Sequence, residues 1–202
     1  MRTHPIIALI ALTCTVGCTA ERSDTNPADS SAPQSASSAT PAPPANSASV
    51  SNPVSATWTV TPLGLGAIRV GMSVEELRRV GGDVTLPAGG GDCVYVHPGS
   101  APPGVMVMLA GGQVARIDVD SAGVRTDRGA AVGDTEMRIN ELYAGRVTTT
   151  PHKYVEGAHY LTVAPASPTD TMHRIVFEAE GGRVARFRAG RLPEVSWVER
   201  CG

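Results

Sequence analysis

The feature that most constrains the fold is a phrase that occurs twice. Gly111-Gly112-Gln113-Val114-Ala115-Arg116-Ile117 is answered by Gly181-Gly182-Arg183-Val184-Ala185-Arg186-Phe187. Upstream of each copy stands a second mark. Val70-Gly71-Met72-Ser73 with Glu76 and Leu77 matches Val132-Gly133-Asp134-Thr135 with Ile139 and Leu142. Two marks in the same order read as a duplicated unit, and self-similarity of this kind sets the fold before any local motif does.

Each unit opens on a strand that runs into a short helix. Ala67–Val70 carries β-formers and stops at Gly71. Ser73 is a good N-cap and Glu76, three residues on, completes a capping box. Val74, Leu77 and Val80 form the apolar stripe, and Gly81-Gly82 ends it. In the second unit Asp134 or Thr135 caps, Ile139, Leu142 and Tyr143 line the stripe, and Gly145 stops it. Helices of two to three turns need a sheet to pack on. The first unit then offers strands at Cys93–Val96, Val105–Ala110 and Val114–Val119. The second offers Val147–Thr150, His159–Val163, Arg174–Ala179 and Val184–Arg188, and a last strand runs through Trp197 to Cys201.

The Gly-Gly pairs mark hairpins. A three-residue loop, Gly181-Gly182-Arg183, sets Phe177 opposite Phe187 and Glu178 opposite Arg186. The same loop at Gly111-Gly112-Gln113 sets Val107 opposite Ile117 and Leu109 opposite Ala115. A two-residue loop would pair Phe177 with Arg186 and place a charge on the apolar side. Burial of one face fixes register, so the longer loop with a bulge is expected. Glu178 and Arg186 then meet on a solvated face.

These elements predict an α+β fold: two tandem strand-helix-strands repeats, 57–124 and 125–202, forming antiparallel sheet with short helices packed on one face. The phrase Gly66–Leu77 resembles the opening motif of two-repeat envelope modules. That group includes β-lactamase inhibitory protein and the small lipoprotein of the outer-membrane barrel-assembly machinery. In it a strand ends in Gly-Met-Ser/Thr and a helix starts at the hydroxyl residue. The Leu-Gly-x-Pro usual after that helix is replaced here by Val80-Gly81-Gly82-Asp83. The resemblance implies a fold and names no target.

The folded part is preceded by a different kind of sequence. Arg2 is followed by the apolar run Ile6–Leu12 and then by Thr15-Val16-Gly17-Cys18. The run is shorter than the ~20 residues of a membrane span and fits the hydrophobic core of an export signal, residues 1–17. Gly17-Cys18 resembles the lipobox of bacterial lipoproteins, with Thr15 where the family prefers Leu. The resemblance implies cleavage before Cys18 and acylation of its thiol, a palmitate-type anchor. Two or more acyl chains hold stably where one does not. Thr19 in place of Asp implies the periplasmic face of the outer membrane in a Gram-negative envelope. The competing reading is ordinary secretion with cleavage after Ala20. From Cys18 to Ala56 the chain is Ser, Ala, Pro, Thr and Asn with almost no large apolar residue. Such a segment buries too little to offset its ordering entropy and is expected to act as a tether. Its mean reach is roughly 35 Å.

Aromatic residues make up 4% of the chain and the formal net charge is −2. The near-balance of charge argues against a nucleic-acid partner, which calls for a concentrated basic surface. The core must come from Val, Ile, Leu, Ala and Met, and a covalent staple would help it. Beyond the leader two cysteines remain, Cys93 and Cys201. In an exported chain an even pair suggests one disulfide. Two free thiols or a metal pair is the alternative, which no C-x-x-C spacing supports.

No nucleophile elbow, S-x-x-K, H-E-x-x-H or phosphate-binding loop occurs. One cluster carries side chains that hold metals or protons: His152-Lys153-Tyr154 and His159-Tyr160, joined across Glu156-Gly157, with His173 further on. A turn there would let His152 and His159 approach; surface histidines on a polar loop are the plainer alternative. Arg183, Arg186, Arg188 and Arg191 read as a solvated basic face or as a patch for anionic polymer or lipid headgroups. The expectation is a lipid-anchored, non-catalytic cell-envelope protein that binds another envelope protein, without cofactor or metal. A small-ligand or metal-binding domain at His152, Tyr154 and His159 is the second reading.

Overall fold

The structure is a computed structural model, and it describes residues 58–201. These all lie in the second of two units into which the chain divides, Val50–Gly202. The expected signal segment 1–17, Cys18 and the tether to residue 56 fall outside the described residues.

Eleven strands form in chain order: β1 (Thr59–Thr61), β2 (Gly64–Leu65), β3 (Ile68–Arg69), β4 (Cys93–Val96), β5 (Val105–Ala110), β6 (Gln113–Val119), β7 (Arg125–Thr126), β8 (Val147–Pro151), β9 (His159–Val163), β10 (His173–Glu180) and β11 (Arg183–Arg191). Helix α1 (Val74–Gly81) follows β3 and α2 (Glu136–Leu142) follows β7. A seven-stranded sheet has the order β4-β5-β6-β11-β10-β9-β8, and a four-stranded sheet has the order β3-β2-β1-β7. The large sheet is antiparallel throughout, whereas β1 and β7 pair in parallel. Among the described residues no helix is long and apolar enough to cross a membrane.

This corrects the expected α+β class. The described residues are mostly β, with two sheets and two short helices. Helices of eight and seven residues span only about 12 Å each, too little to form a layer over seven strands. Each sends one residue fully into the core, Leu77 and Ile139. The small sheet adds Val60, Leu65 and Ile68 to the same core. Facing them, the large sheet contributes Val107, Ile117, Ile175, Phe177, Phe187 and Leu161. The helix starts follow the sequence closely. Ser73 Oγ accepts the Glu76 N–H while Glu76 accepts the Ser73 N–H, the full capping box, and Thr135 caps α2 by accepting the Arg138 N–H.

The hairpins β5–β6 and β10–β11 carry the same turn and the same bulge. Ala110 pairs with Gln113 and Glu180 with Arg183, so the loops are two residues long, one fewer than expected. Gly111 and Gly112 have φ of 59° and 75°, and Gly181 and Gly182 have 57° and 75°. Positive φ at both positions is what a type I′ turn requires, and its twist matches that of the strands. One extra residue, Ala115 or Ala185, is then taken up as a bulge. Past the bulge the expected pairs Phe177–Phe187, Glu178–Arg186 and Val107–Ile117 are present. Leu109 pairs with Val114 instead of Ala115, because the bulge lies beyond that position. The two Gly-Gly hairpins meet at the sheet centre, where β6 and β11 pair antiparallel. Each also receives a matching contact from the segment before its helix. Gly71 N–H donates to Val114 O and Gly133 N–H to Val184 O, at 2.7 and 2.8 Å.

Candidate functional site: the strap over the large sheet

The inner face of the large sheet is apolar, and the opposite face carries charge. Alternation along a strand puts Arg116 and Asp118 of β6, Glu178 of β10 and Arg188 of β11 together there. A solvated face is expected, but it is covered. Arg116, Arg188 and Glu178 are 2%, 3% and 7% exposed. The cover is a returning segment of the same chain. After β11 the segment 192–201 turns back as a strap, with a 3-10 turn at Glu194–Ser196 and no strand through Trp197 to Cys201, where the sequence suggested one. Val195 is fully buried and packs with Tyr160 and Val176. A disulfide joins Cys201 to Cys93 on the edge strand β4, with Cα atoms 5.5 Å apart.

Buried charges must be paired and hydrogen-bonded, and here they are. Arg116 forms a bidentate pair with Asp118, Nη2 to Oδ1 at 2.6 Å and Nε to Oδ2 at 2.9 Å. Its Nη1 donates to the carbonyl oxygens of Glu194 at 3.0 Å and Trp197 at 2.6 Å. Arg188 donates from Nε to the Val195 carbonyl at 2.7 Å and from Nη1 to Glu178. Burial, and then the nearby Arg116 charge, hold the Arg188 guanidinium below its usual pKa. Tyr95 donates to Asp118 Oδ2 at 3.1 Å. Desolvation, followed by the Asp118 charge, pushes its phenol well above the usual range.

The histidine cluster separates. His152 lies on the strap side, its ring stacked on Tyr160 with centroids 4.4 Å apart. Its Nδ1 accepts the N–H groups of Tyr154 and Val155 at 3.2 and 3.1 Å. The neutral ring therefore holds its proton on Nε2, which faces Glu178 Oε2 at 3.7 Å. His159 is bonded elsewhere, with Nδ1 2.9 Å from Glu136 Oε1 of α2. His173 pairs with Asp170 at 3.0 Å. Tyr154 is 59% exposed; its hydroxyl donates to Glu199 of the strap, which also pairs with Lys153 at 3.0 Å. Tyr154 and Lys153 thus hold the strap through Glu199, His152 supports them from beneath on Tyr160, and His159 does not join them. Among the described residues no group of three or more His, Cys, Asp or Glu is placed to hold a metal ion.

The basic strand is used internally. Arg186 pairs with Glu178 and Glu180 at 3.3 Å each, Arg191 pairs with Glu194 at 3.1 Å, and Arg183 donates to the Gly133 carbonyl at 2.9 Å. With Arg188 buried, no open cationic stripe remains on this strand. Sequence reasoning missed Arg116 and Asp118 as a site. The available signal was an Arg and an Asp two positions apart on a strand, on one face, with Tyr95 on the edge strand β4, beyond β5.

No protein-family profile matches the chain, and no curated protein matches it. Among solved structures, the uncharacterized protein yfeY from Escherichia coli aligns at 15% sequence identity. The alignment covers 66% of this chain and 99% of that one, with a TM-score of 0.36.

Proposed function

We propose that this is a lipid-anchored, non-catalytic protein of the cell envelope whose folded part binds another protein. The observation that carries the reading is the Cys93–Cys201 disulfide, 108 positions apart in sequence. Persisting disulfides belong to oxidising compartments, which agrees with an export signal ending at Gly17-Cys18. Acylated Cys18 would be the anchor, and the Ser/Ala/Pro segment would let the folded part stand off from the lipid. The likeness of Gly66–Leu77 to the opening of two-repeat envelope modules agrees with a place in the envelope, and Thr19 after Cys18 suggests the periplasmic face of the outer membrane.

A binding surface of known physical type is present. Strand β8 ends the large sheet, and its Thr148, Thr149, Thr150 and Pro151 are exposed. An open edge pairs readily with an extended segment of a partner. The test is photo-crosslinking in intact cells, with the probe at Thr149. A discrete protein adduct, absent when the probe stands at exposed Gly91, is expected. Equal labelling at both positions would count against a binding module.

A further inference from the structure

The strap occupies its face the way a bound peptide would. Arg116 and Arg188 reach it through three main-chain carbonyls, those of Glu194, Val195 and Trp197. Val195 is the one strap side chain sunk fully into the sheet, against Tyr160 and Val176. Carbonyls belong to every polypeptide, so this recognition asks for a segment that turns as Glu194–Ser196 does and carries one aliphatic side chain, and for little else. The strap leaves part of the face unfilled. A cleft of about 140 Å³ runs between Ser196 and Val198 on one side and Thr150, Tyr160, Thr162 and Val176 on the other. The closed form also carries a cost, because the buried Glu194 Oε2 has no hydrogen-bond partner among the described residues, and an unmade buried bond is unfavourable.

The covalent hold on the strap is one bond, and it is open to attack. Cys93 and Cys201 both line a surface groove of about 550 Å³, with Lys153, Trp197, Glu199 and Arg200. Once that bond is cut the strap is held only by its hydrogen bonds, the Glu199 pair and the burial of Val195, and a segment held in that way opens locally at a lower free energy than the sheet does.

We infer that the face beneath the strap is a docking face for a segment of a partner protein that turns as Glu194–Trp197 does. It is held shut by the segment 192–201 while Cys93–Cys201 is intact and is released by a dithiol reductant. The exchange balances. A reductant thiolate attacks one sulfur and forms a mixed disulfide, and its second thiol resolves it. Two electrons and two protons pass to Cys93 and Cys201, and the reductant leaves as a disulfide. The incoming segment offers its carbonyls to Arg116 and Arg188 and an aliphatic side chain to the Val195 niche. The inference rests on the reading of the folded part as a binding module; the anchor has no part in it.

Two measurements test it. In the first, hydrogen exchange of the wild-type chain is compared before and after reduction with a dithiol. The amides of Ser196 and Trp197 should exchange roughly tenfold faster or more, with β5, β6, β10 and β11 unchanged. Strap amides that stay protected, or a sheet that opens with them, would overturn the inference. In the second, a labelled peptide of the sequence Leu192–Arg200 is titrated onto the reduced chain carrying Val195→Asp in its own strap. It should bind there roughly tenfold more tightly or better than to the oxidised wild type, and a peptide carrying Val195→Asp should not bind. Equal binding to both chains, or none to either, would contradict it. If the variant does not fold, the exchange experiment on the wild type decides alone. An adduct at Thr149 in a chain whose strap never opens would remove this inference and leave the binding-module reading standing. Failure of both removes both.

Discussion

Arg116 Nη1 donates to the carbonyl oxygen of Trp197 at 2.6 Å, across 81 positions of sequence. Through that bond and its neighbours the C-terminal strap is fixed to the middle of the large sheet. Arg116→Ala would leave Asp118 without its bidentate partner and the Trp197 carbonyl without that donor, while the Glu194 carbonyl keeps the Trp197 N–H. Breaking a buried pair by removing one partner costs about 3–5 kcal/mol. Urea unfolding should show a loss of that order, and the double exchange Arg116→Met with Asp118→Leu should cost less than the single one, because no charge is stranded.

The disulfide closes a loop of 108 positions, from β4 through the strap, and leaves β1, β2, β3 and α1 outside it. For a loop of this size the chain-entropy argument gives up to about 4.7 kcal/mol, with about 2–4 more typical. Cys201→Ser and Cys93→Ser should destabilise equally, and the double exchange should add little. Unequal single effects, read from denaturant midpoints, would mean that one cysteine contributes by packing as well.

The two helix caps differ in completeness. Ser73 has the reciprocal Glu76 bond, while Thr135 has Arg138 at the matching position. Ser73→Ala and Thr135→Ala should each cost on the order of 1 kcal/mol, with the larger loss at Ser73. The Ser73 backbone and side-chain hydrogen bonds hold the Glu76 carboxyl below its usual pKa of 4.5. A depressed carboxyl pKa gives stability that is present above the unfolded value and lost as pH falls through the folded one. The Ser73→Ala penalty should therefore shrink below pH 4.5, while the Thr135→Ala penalty should not.

Tyr143 is buried beside Phe177 and donates to Thr126 at 2.7 Å. Burial pushes its phenol from 10.0 up to about 12, against the lowering effect of the Thr126 bond. A raised pKa means stability that is complete below the unfolded value and declines as pH rises through the folded one. Thermal unfolding should fall off from about pH 10 upward, and Tyr143→Phe should flatten the decline. Thr126 Oγ1 keeps a partner in that variant, since it also accepts the Ala130 N–H.

At the sheet centre Gly190 admits no side chain. A Cβ there would lie 2.8 Å from the Cα of Arg116 and closer still to the Ala115 carbonyl. Gly190→Ala should force β6 and β11 apart and cost about 1–3 kcal/mol, read as a lowered midpoint with the same sheet content by circular dichroism.

Much of the large sheet was legible in the sequence because its strands alternate and its turns are punctuated by glycine. Cys93–Val96, Val105–Ala110 and His159–Val163 were read to their ends, and Phe177 faces Phe187 as one-sided burial demands. The small sheet was not legible beyond the stretch around Ile68. Strands of two or three residues show no period, and the parallel pairing of Val60 with Thr126 joins distant segments that carry no shared signal. That is why two capped helices suggested a layer that the small sheet instead provides. The site was missed for a related reason. Alternation marks Glu178 and Arg188 as lying on the face opposite Phe177 and Phe187, but only the returning strap makes that face buried. The cysteine count hinted at such a return, and nothing in the residues 192–200 announced that their carbonyls would be the ligands.

The most direct test of the whole account is the intact mass of the mature protein isolated from membranes. A chain that begins at Cys18, carries added acyl mass on that residue and is two hydrogens short for Cys93 and Cys201 is the predicted result. A chain that begins at Glu21 without acyl mass, or one with both thiols free, would contradict it.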